Sequence, residues 1–260
     1  VNGRKRRAHP CRPKAKAVWL VDNTKLTFEQ VATLCGRHGL EVQAIADDEV
    51  ATGMQGLDPL AAGELTQEEI ERREAVIGVI GLGYVGLPLA VELGQAGFRV
   101  IGFDVDDSKI STLGQGVSYI GDVESSEVAK LIKAEKLDAT TEFDLLADMD
   151  VINICVPTPL RKTRDPDVSF IAAAVLEIRK HLREGQLIIL GSTTYPGTTH
   201  EFVIPMLEDS GLTIGKDYSL AFAPERIDPG NTKFKVTNVP KVVGGDTPPR
   251  TELACPVFRT

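Results

Sequence analysis

The stretch AVIGVIGLGYVGLPLA at residues 75–90 decides the fold. It begins with an apolar run, continues with three glycines at Gly81, Gly83 and Gly86, and ends in an apolar segment with helical spacing. Gly81 permits a tight turn out of a strand, Gly83 lets the backbone approach a pyrophosphate, and Gly86 lets the helix pack close to the strand. Free N–H groups at the start of that helix would face the pyrophosphate. The stretch therefore predicts a dinucleotide-binding strand–loop–helix unit.

A carboxylate follows the next apolar run at the spacing that such a unit requires. Asp104 comes directly after FRVIGF, 23 residues after Gly81, where an acid accepts hydrogen bonds from an adenosine ribose. An acid at this place would repel a 2′-phosphate, so the residues favour NAD over NADP. The alternative is a glycine-rich turn followed by a chance acid, and the surrounding strand and helix pattern makes it the weaker interpretation.

Apolar runs and helical stretches alternate from residue 75 onward. The runs are AVIGVIG, FRVIGFD, DVINICVP, QLIILGS, YSLAFAP and PKVVGG. Near-continuous apolar strands separated by helices are typical of a parallel sheet that is covered on both faces. We therefore predict an α/β fold for residues 75–260, a Rossmann-type doubly wound parallel sheet.

Three polar stretches follow later runs, at the edge where open α/β sheets bind ligands. They are VPTPL at residues 156–160, STTYPGTT at residues 192–199 and FAPERIDPGN at residues 222–231. Glu225 is a candidate general base, because a carboxylate at a strand end beside a cofactor crevice can accept a proton or orient water. An ion pair with Arg226 or a helix cap is the alternative, and the residues alone leave both open.

The N-terminal part has a different character. Residues 1–16 carry seven basic side chains and no acidic one, which predicts a basic disordered leader. Residues 17–74 predict a small helical domain with a helix-turn-helix outline, in which Thr27 caps the first helix and Gly36 and Gly39 form the turn. The residues expected on one face of the first helix are Phe28, Val31, Ala32, Leu34 and Cys35, and the second helix is expected to contain Leu40, Val42 and Ile45. Because the second helix is acidic, we expect at most a weak DNA contact.

Composition limits the class of protein. With 42% hydrophobic residues, 25% charged residues and a formal net charge of −8, the chain has an ordinary globular balance. No apolar run reaches the roughly 18 residues of a membrane span, and the N-terminus lacks the pattern of a secretory signal. The cysteines are far apart and the histidines are isolated. We therefore expect a cytoplasmic protein with reduced thiols, no membrane contact and no metal site.

Five ordered motifs from residue 70 to about residue 255 carry a family resemblance. They are IGVIGLGYVGLPLAVELGQAGFRVIGFDVDDSKI, CVPTPL, STTYPGTT, APERIDPGN and PKVVGG. Together they resemble the UDP-glucose/GDP-mannose dehydrogenase family, in its UDP-N-acetylhexosamine 6-dehydrogenase branch. Members of that family oxidise the C6 alcohol of a nucleotide sugar to a carboxylate in two NAD-dependent steps, through a cysteine thioester. The resemblance implies NAD as the cofactor, a UDP-sugar as the substrate and a place in polysaccharide biosynthesis.

The resemblance also implies roles for individual residues. The glycine loop holds the NAD diphosphate, Asp104 and Lys109 lie at the adenosine ribose, and Thr158 lines the cofactor pocket. Thr193 contacts the cofactor or the catalytic water, and Glu225 acts in acid–base chemistry or water activation. The implied cofactor-binding residues are Gly81, Gly83, Tyr84, Val85, Gly86, Asp104, Lys109, Thr158 and Thr193, and the implied catalytic residues are Glu225 and Thr193.

The sequence departs from the family pattern at two places. Gly191 stands where this branch often has glutamate, and the sequence given stops at Thr260, before the family's nucleophilic cysteine and sugar-nucleotide-binding domain. Cys255 has no glycine-rich loop around it, and Cys155 is expected to be a buried core residue. We therefore expect residues 75–260 to bind the cofactor as a monomer with little or no turnover alone.

A second resemblance covers about residues 14–74. The segments AVWLVDNTKLTFEQVATLCGRHGLEVQAIADDEV and GLDPLAAGELTQEEIERRE resemble the TrcR-type cell-cycle transcriptional regulators of alphaproteobacteria. Two unrelated families thus meet between Glu74 and Ala75, through a native fusion or a joined reading frame. The alternative function is a DNA-binding regulator in which the Rossmann unit is a sensor or a passenger.

Overall fold

The computed structural model describes residues 13–24, 26, 28–37, 39–47, 54, 56–65, 75–162, 164–226, 240–245, 247, 251, 254–255 and 257–258. The chain folds into two compact units, Val1–Glu74 and Ala75–Thr260. Several predictions fall outside the described residues: the first twelve residues of the leader, the cap at Thr27, the isolated His9 and His38, and the end of the stretch at residues 227–231.

The described part of the unit Val1–Glu74 contains three helices around a small apolar core. They are α1 (Pro13–Asn23), α2 (Phe28–Cys35) and α3 (Gly39–Ala46). Val31, Ala32 and Cys35 of the first predicted helix are buried as expected, but Phe28 is 39% exposed. Helix α3 contains Leu40, Val42 and Ile45, as predicted; Val42 and Ile45 are buried, whereas Leu40 at the start of the helix is 70% exposed.

The predicted leader extends too far. Residues 13–16 belong to α1, and Ala15 and Lys16 are buried there. The Lys16 ammonium lies 3.9 Å from the Glu64 carboxylate, so the aliphatic stem can be covered while the charge keeps a partner. Counting charges along the sequence does not detect such a pair, since Glu64 is 48 residues away (64 − 16).

The unit Ala75–Thr260 is built on one seven-stranded sheet. The strands are β1 (Val76–Ile80), β2 (Arg99–Phe103), β3 (Leu137–Thr140), β4 (Val151–Ile154), β5 (Leu187–Leu190), β6 (Ser219–Phe222) and β7 (Gly244–Gly245). Their order across the sheet is β3-β2-β1-β4-β5-β6-β7. The first six strands are parallel, and β7 runs antiparallel to β6. The order is that of a doubly wound Rossmann sheet, which confirms the predicted fold class.

Helices cover both faces of the sheet, as the apolar strands require. They are α4 (Gly86–Gln95), α5 (Asp107–Gly114), α6 (Ser125–Lys133), α7 (Ser169–His181) and α8 (Ile204–Glu208), with a 3₁₀ turn at Phe143–Asp148 and a π-helix at Thr198–Val203. Strand β4 shows the two-sided burial: Val151 and Cys155, the residue after the strand, face one core, while Ile152 and Ile154 face the other.

The structure differs from the sequence expectation at both ends of the sheet. Strand β3 is absent from the predicted strands, because LDAT offers only Leu137 as a buried apolar side chain, and an edge strand needs little apolar surface. The run PKVVGG is predicted as a parallel strand. In the structure only Gly244 and Gly245 pair with β6, and they do so antiparallel.

Strand β4 also carries an unusual buried group. Asn153 is fully buried between Val79 of β1 and Ile189 of β5, and neither its Nδ2 nor its Oδ1 has a hydrogen-bond partner among the described residues. Burying an amide without a partner costs about 1–3 kcal/mol. The central strand therefore contains a group that opposes folding.

Replacing Asn153 with leucine is expected to stabilise the unit. The apolar side chain removes the unpaired amide, and we expect the free energy of unfolding to rise by about 1–2 kcal/mol and the thermal midpoint by about 2–6 °C. Differential scanning calorimetry measures both. The matched variant Asn153→Asp places an unpaired charge at the same site and should lower the midpoint. A lower midpoint for Asn153→Leu would contradict this account.

Candidate functional site

The loop after β1 requires glycine at its first position. Gly81 has a φ of +93°, a region that L side chains rarely adopt. Its N–H donates to the carbonyl oxygen of Phe103 at 2.7 Å, and a Cβ would lie 2.8 Å from the carbonyl oxygen of Cys155. The turn out of β1 therefore brings the loops after β1 and β4 into direct contact, at the point where the winding of the sheet reverses.

The other two glycines have different surroundings. A Cβ on Gly86 would lie 1.8 Å from the carbonyl oxygen of Gly81, so α4 can approach the turn only with glycine there. A Cβ on Gly83 would meet nothing within 4 Å, so this position faces open space. None of the hydrogen bonds among the described residues uses the N–H of Gly83, Tyr84 or Val85.

These observations fit a diphosphate. The N–H groups that no described residue accepts lie at the N-terminus of α4, where the helix dipole favours an anion. Tyr84 is 66% exposed on the same loop, and Val85 takes the N-cap position of α4 without a side-chain cap. The loop thus offers backbone donors and free space together, as a phosphate group needs.

Asp104 is fixed at the carboxyl end of β2. Its side chain is 7% exposed, and its Oδ2 accepts from the Leu82 N–H at 2.9 Å and from the Lys109 ammonium at 2.8 Å. Its Oδ1 accepts from the Asp106 N–H at 3.1 Å. A carboxylate offers about four lone-pair sites, so Asp104 keeps capacity for a ribose hydroxyl. The arrangement fits the predicted ribose site.

Tyr119 contacts the glycine loop, although it lies in none of the sequence motifs. Its hydroxyl donates to the carbonyl oxygen of Leu82 at 2.7 Å. Burial raises the pKa of the Tyr119 hydroxyl, and the negative charges of Asp104 and Asp106 raise it further. The residue lies 37 positions after the loop that it contacts, so no local pattern could have identified it.

The loops after β4, β5 and β6 meet beside the glycine loop. The Thr158 hydroxyl donates to the carbonyl oxygen of Thr193 at 2.6 Å, and the Thr193 hydroxyl donates to the carbonyl oxygen of Glu225 at 3.4 Å. Ser192 is buried, and its hydroxyl donates to the carbonyl oxygen of Val156 at 2.8 Å. The predicted residues of these three loops are thus connected to one another through backbone carbonyls.

Glu225 is paired, but not with the side chain next to it. Its Oε2 lies 2.5 Å from the Lys241 ammonium, and the two side chains are 8% and 13% exposed. Its Oε1 accepts from the backbone N–H of Arg226 at 2.7 Å. Of the two alternatives that the sequence left open for Glu225, the ion pair with the Arg226 side chain is not seen among the described residues, because that guanidinium donates to the carbonyl oxygen of Pro240 at 3.1 Å instead. Lys241 is a second residue of the site for which no role was predicted, although it lies in the motif PKVVGG.

Cys155 is buried beneath this cluster, as predicted. Burial raises the pKa of the Cys155 thiol to about 12, so the thiolate that a nucleophile requires is disfavoured. Cys35, Cys155 and Cys255 are all free thiols. Across the described ranges, no group of three or more His, Cys, Asp or Glu side chains is arranged to hold a metal ion, and no helix is long and apolar enough to cross a membrane.

Two family models match the chain. The model described as the UDP-glucose/GDP-mannose dehydrogenase family, NAD binding domain, matches residues 75–260. The model described as the transcriptional cell cycle regulator TrcR matches residues 40–77.

Curated relatives match the same C-terminal part. A UDP-N-acetyl-D-glucosamine 6-dehydrogenase from Pseudomonas aeruginosa is 38% identical over 188 residues, which cover 72% of this chain and 44% of the relative. A UDP-N-acetyl-D-mannosamine dehydrogenase from Pyrococcus horikoshii is 32% identical, over 71% of this chain and 44% of the relative. The match thus spans less than half the length of these relatives.

Solved structures agree with the sequence matches. A UDP-D-ManNAc dehydrogenase from Pyrococcus horikoshii superposes with a TM-score of 0.66 at 33% identity, over 71% of this chain and 44% of that one. A ternary complex of GDP-mannose dehydrogenase from Pseudomonas aeruginosa gives a TM-score of 0.63 at 35% identity, over 70% and 44%.

Proposed function

Since the chain belongs to the UDP-glucose/GDP-mannose dehydrogenase family through residues 75–260, we propose that it supplies the NAD-binding half of an enzyme that oxidises the C6 alcohol of a UDP-sugar to a carboxylate. One observation carries the proposal. At the start of α4 lie backbone N–H groups that donate to no described residue, with open space beside them. The carboxylate of Asp104 is fixed nearby, at the end of the neighbouring strand β2. That pair of features suits a diphosphate next to an adenosine ribose.

The residues that would hold the cofactor form two groups, one for the diphosphate and one for the adenosine ribose. Gly81, Gly83 and Gly86 shape the diphosphate loop, with Tyr84 and Val85 between them, and Asp104 with Lys109 receives the ribose. Thr158 and Thr193, which a hydrogen bond joins, are proposed to line the other side of the cofactor site. When bound, NAD supplies a hydride acceptor for the alcohol carbon.

Glu225 is our candidate for proton transfer. Its carboxylate lies at the end of β6, and its main-chain carbonyl accepts from Thr193. The Lys241 ion pair fixes the direction of one carboxylate oxygen, and the Arg226 N–H fixes the other. A carboxylate held in this way can accept a proton or orient water without searching for its position.

Calorimetric titration with NAD⁺ tests the binding half of this proposal. We expect saturable binding by the chain, with weaker binding of NADP⁺ because Asp104 opposes a 2′-phosphate. The oxidation is tested by NADH formation with UDP-N-acetylglucosamine after adding, as a separate chain, the part of the Pseudomonas aeruginosa relative that the match does not reach. No NAD⁺ binding would contradict the first half. Binding without any NADH formation would contradict the second.

The unit Val1–Glu74 supports a weaker second proposal. Its similarity to TrcR over residues 40–77 favours a DNA contact, whereas Arg37, a basic residue available for it, pairs with Glu41 at 3.4 Å. A gel shift at low salt tests the contact, and binding that does not fall with added salt would argue against it. Transcript sequencing distinguishes a native fusion from a joined reading frame. The monomeric state and the cytoplasmic location stay proposals, which light scattering and cell fractionation test. The place in polysaccharide biosynthesis is also a proposal.

A further inference from the structure

The peptide between the first two loop glycines is anchored on three sides. The Leu82 side chain is fully buried over Gly102 of β2, where a Cβ would lie 2.6 Å from Leu82 Cδ2. The Leu82 N–H donates to Asp104 at 2.9 Å, and the Leu82 carbonyl accepts from the Tyr119 hydroxyl at 2.7 Å. Leu82 therefore has a fixed position, a fixed donor and a fixed acceptor.

The third anchor comes from a separate segment of the chain. Tyr119 lies between α5 and α6, in a turn closed by the Ser118 hydroxyl, which donates to the carbonyl oxygen of Ile120 at 3.0 Å. The Ser118 N–H donates to the hydroxyl of Ser125, the first residue of α6, at 3.0 Å. Tyr119 is partly buried against the core of this face. Its ring is held by packing, so its hydroxyl has a defined direction.

Peptide geometry connects this contact to the open side of the loop. The Leu82 carbonyl and the Gly83 N–H belong to one planar trans peptide, in which they point in opposite directions. A hydrogen bond that fixes the carbonyl toward Tyr119 therefore fixes the Gly83 N–H away from it. The Gly83 N–H is among those that no described residue accepts, and the space beside Gly83 is open.

We propose that Tyr119 is a positioning residue for the cofactor diphosphate. By holding the Leu82 carbonyl it aims the Gly83 N–H at a phosphate oxygen, although Tyr119 itself contacts no ligand atom in this role. The inference rests on the proposed function, since it concerns how the same loop receives NAD. The two side chains then have different roles. Asp104 binds the ribose and holds the Leu82 N–H, whereas Tyr119 only holds the Leu82 carbonyl.

The variant Tyr119→Phe tests this assignment with ligands that differ in their phosphates. It removes one oxygen and keeps the ring, so the core stays filled. We expect ADP and NAD⁺ to bind about three- to tenfold more weakly, whereas adenosine, which lacks the diphosphate, changes by less than about twofold. Calorimetry measures NAD⁺ and ADP, and NMR titration measures adenosine. A residue that only supports the fold would weaken all three ligands alike.

Tyr218→Phe is the matched control, because Tyr218 is buried in the core of the opposite sheet face. It should leave the ratio of ADP to adenosine affinity unchanged. An unchanged ratio in Tyr119→Phe, or a Tyr119→Phe protein that circular dichroism shows to be unfolded, would overturn the inference. If the unchanged protein binds NAD⁺ and Tyr119→Phe leaves the ratio of ADP to adenosine affinity unchanged, the proposed function stands and only the role of Tyr119 is overturned. If the unchanged protein binds no NAD⁺, the proposed function and the role of Tyr119 are both overturned.

Discussion

Replacing Gly86 with alanine is expected to lower the free energy of unfolding by about 3 kcal/mol or more and to abolish NAD⁺ binding. A Cβ there would lie 1.8 Å from the carbonyl oxygen of Gly81. That atom belongs to the backbone of a turn already fixed by Phe103 and Cys155, so no side-chain rotation can relieve the overlap. The start of α4 must move away from β1. Urea denaturation followed by circular dichroism measures the loss.

Two other glycine variants separate folding from binding. Gly83→Ala adds a methyl group where nothing lies within 4 Å, so the midpoint of unfolding should hardly change while NAD⁺ affinity falls at least about tenfold, because the methyl group occupies ligand space. Gly114→Ala also meets nothing within 4 Å, but it lies on α5 and should change neither quantity. Equal stability of Gly86→Ala and Gly114→Ala would contradict the close approach of α4.

Asp104→Ala should have the second largest effect on the free energy of unfolding and on NAD⁺ affinity. It removes the acceptor of the Leu82 and Asp106 N–H groups and the partner of Lys109. Leaving buried donors unpaired costs about 1–3 kcal/mol each, so we expect a loss of about 2–4 kcal/mol in the free energy of unfolding. NAD⁺ affinity should fall at least about tenfold, since the ribose acceptor is lost and the loop is released.

The same variant tests cofactor choice. Without the carboxylate, the like charge that opposes a 2′-phosphate is gone, and Lys109 becomes available to attract it. The ratio of the NADP⁺ and NAD⁺ dissociation constants should shift toward NADP⁺ by about tenfold. Asp107→Ala, on the exposed start of α5, removes an equal charge nearby and should leave the ratio unchanged. A large shift in Asp107→Ala would show that the general field of the protein, rather than Asp104, decides the choice.

The part of the candidate site that the sequence motifs indicated is the part made by neighbours along the chain. The glycine turn, the start of α4 and Asp104 belong to one strand–helix–strand unit, so their spacing is fixed by the dimensions of that unit. Five apolar runs identified the five inner strands β1, β2, β4, β5 and β6, because buried strands need apolar side chains on both faces. The edge strand β3 has no such need and left no signal in the sequence. The sixth run, PKVVGG, forms only the two-residue antiparallel strand β7 at an edge of the sheet.

Lys241 and Tyr119 escaped prediction for a different reason. Each acts at a distance along the chain, 16 residues from Glu225 and 37 from Leu82, and neither belongs to a repeating pattern. Tyr119 reaches the site from the segment between α5 and α6, and Lys241 reaches it from the residues just before β7. The alternative ion pair with Arg226 rested only on adjacency in sequence, and the Arg226 side chain donates to the carbonyl oxygen of Pro240 instead.

The pinned Leu82 peptide has a kinetic consequence. A loop that is already ordered loses little conformational entropy when a ligand binds. Binding of the cofactor therefore requires no prior rearrangement of this loop. Association should then proceed at a rate set by diffusion and orientation, and should differ little among variants that keep the loop in place. Differences in affinity would appear in how long the complex lasts. The three anchors of Leu82 thus act on residence time more than on the speed of encounter.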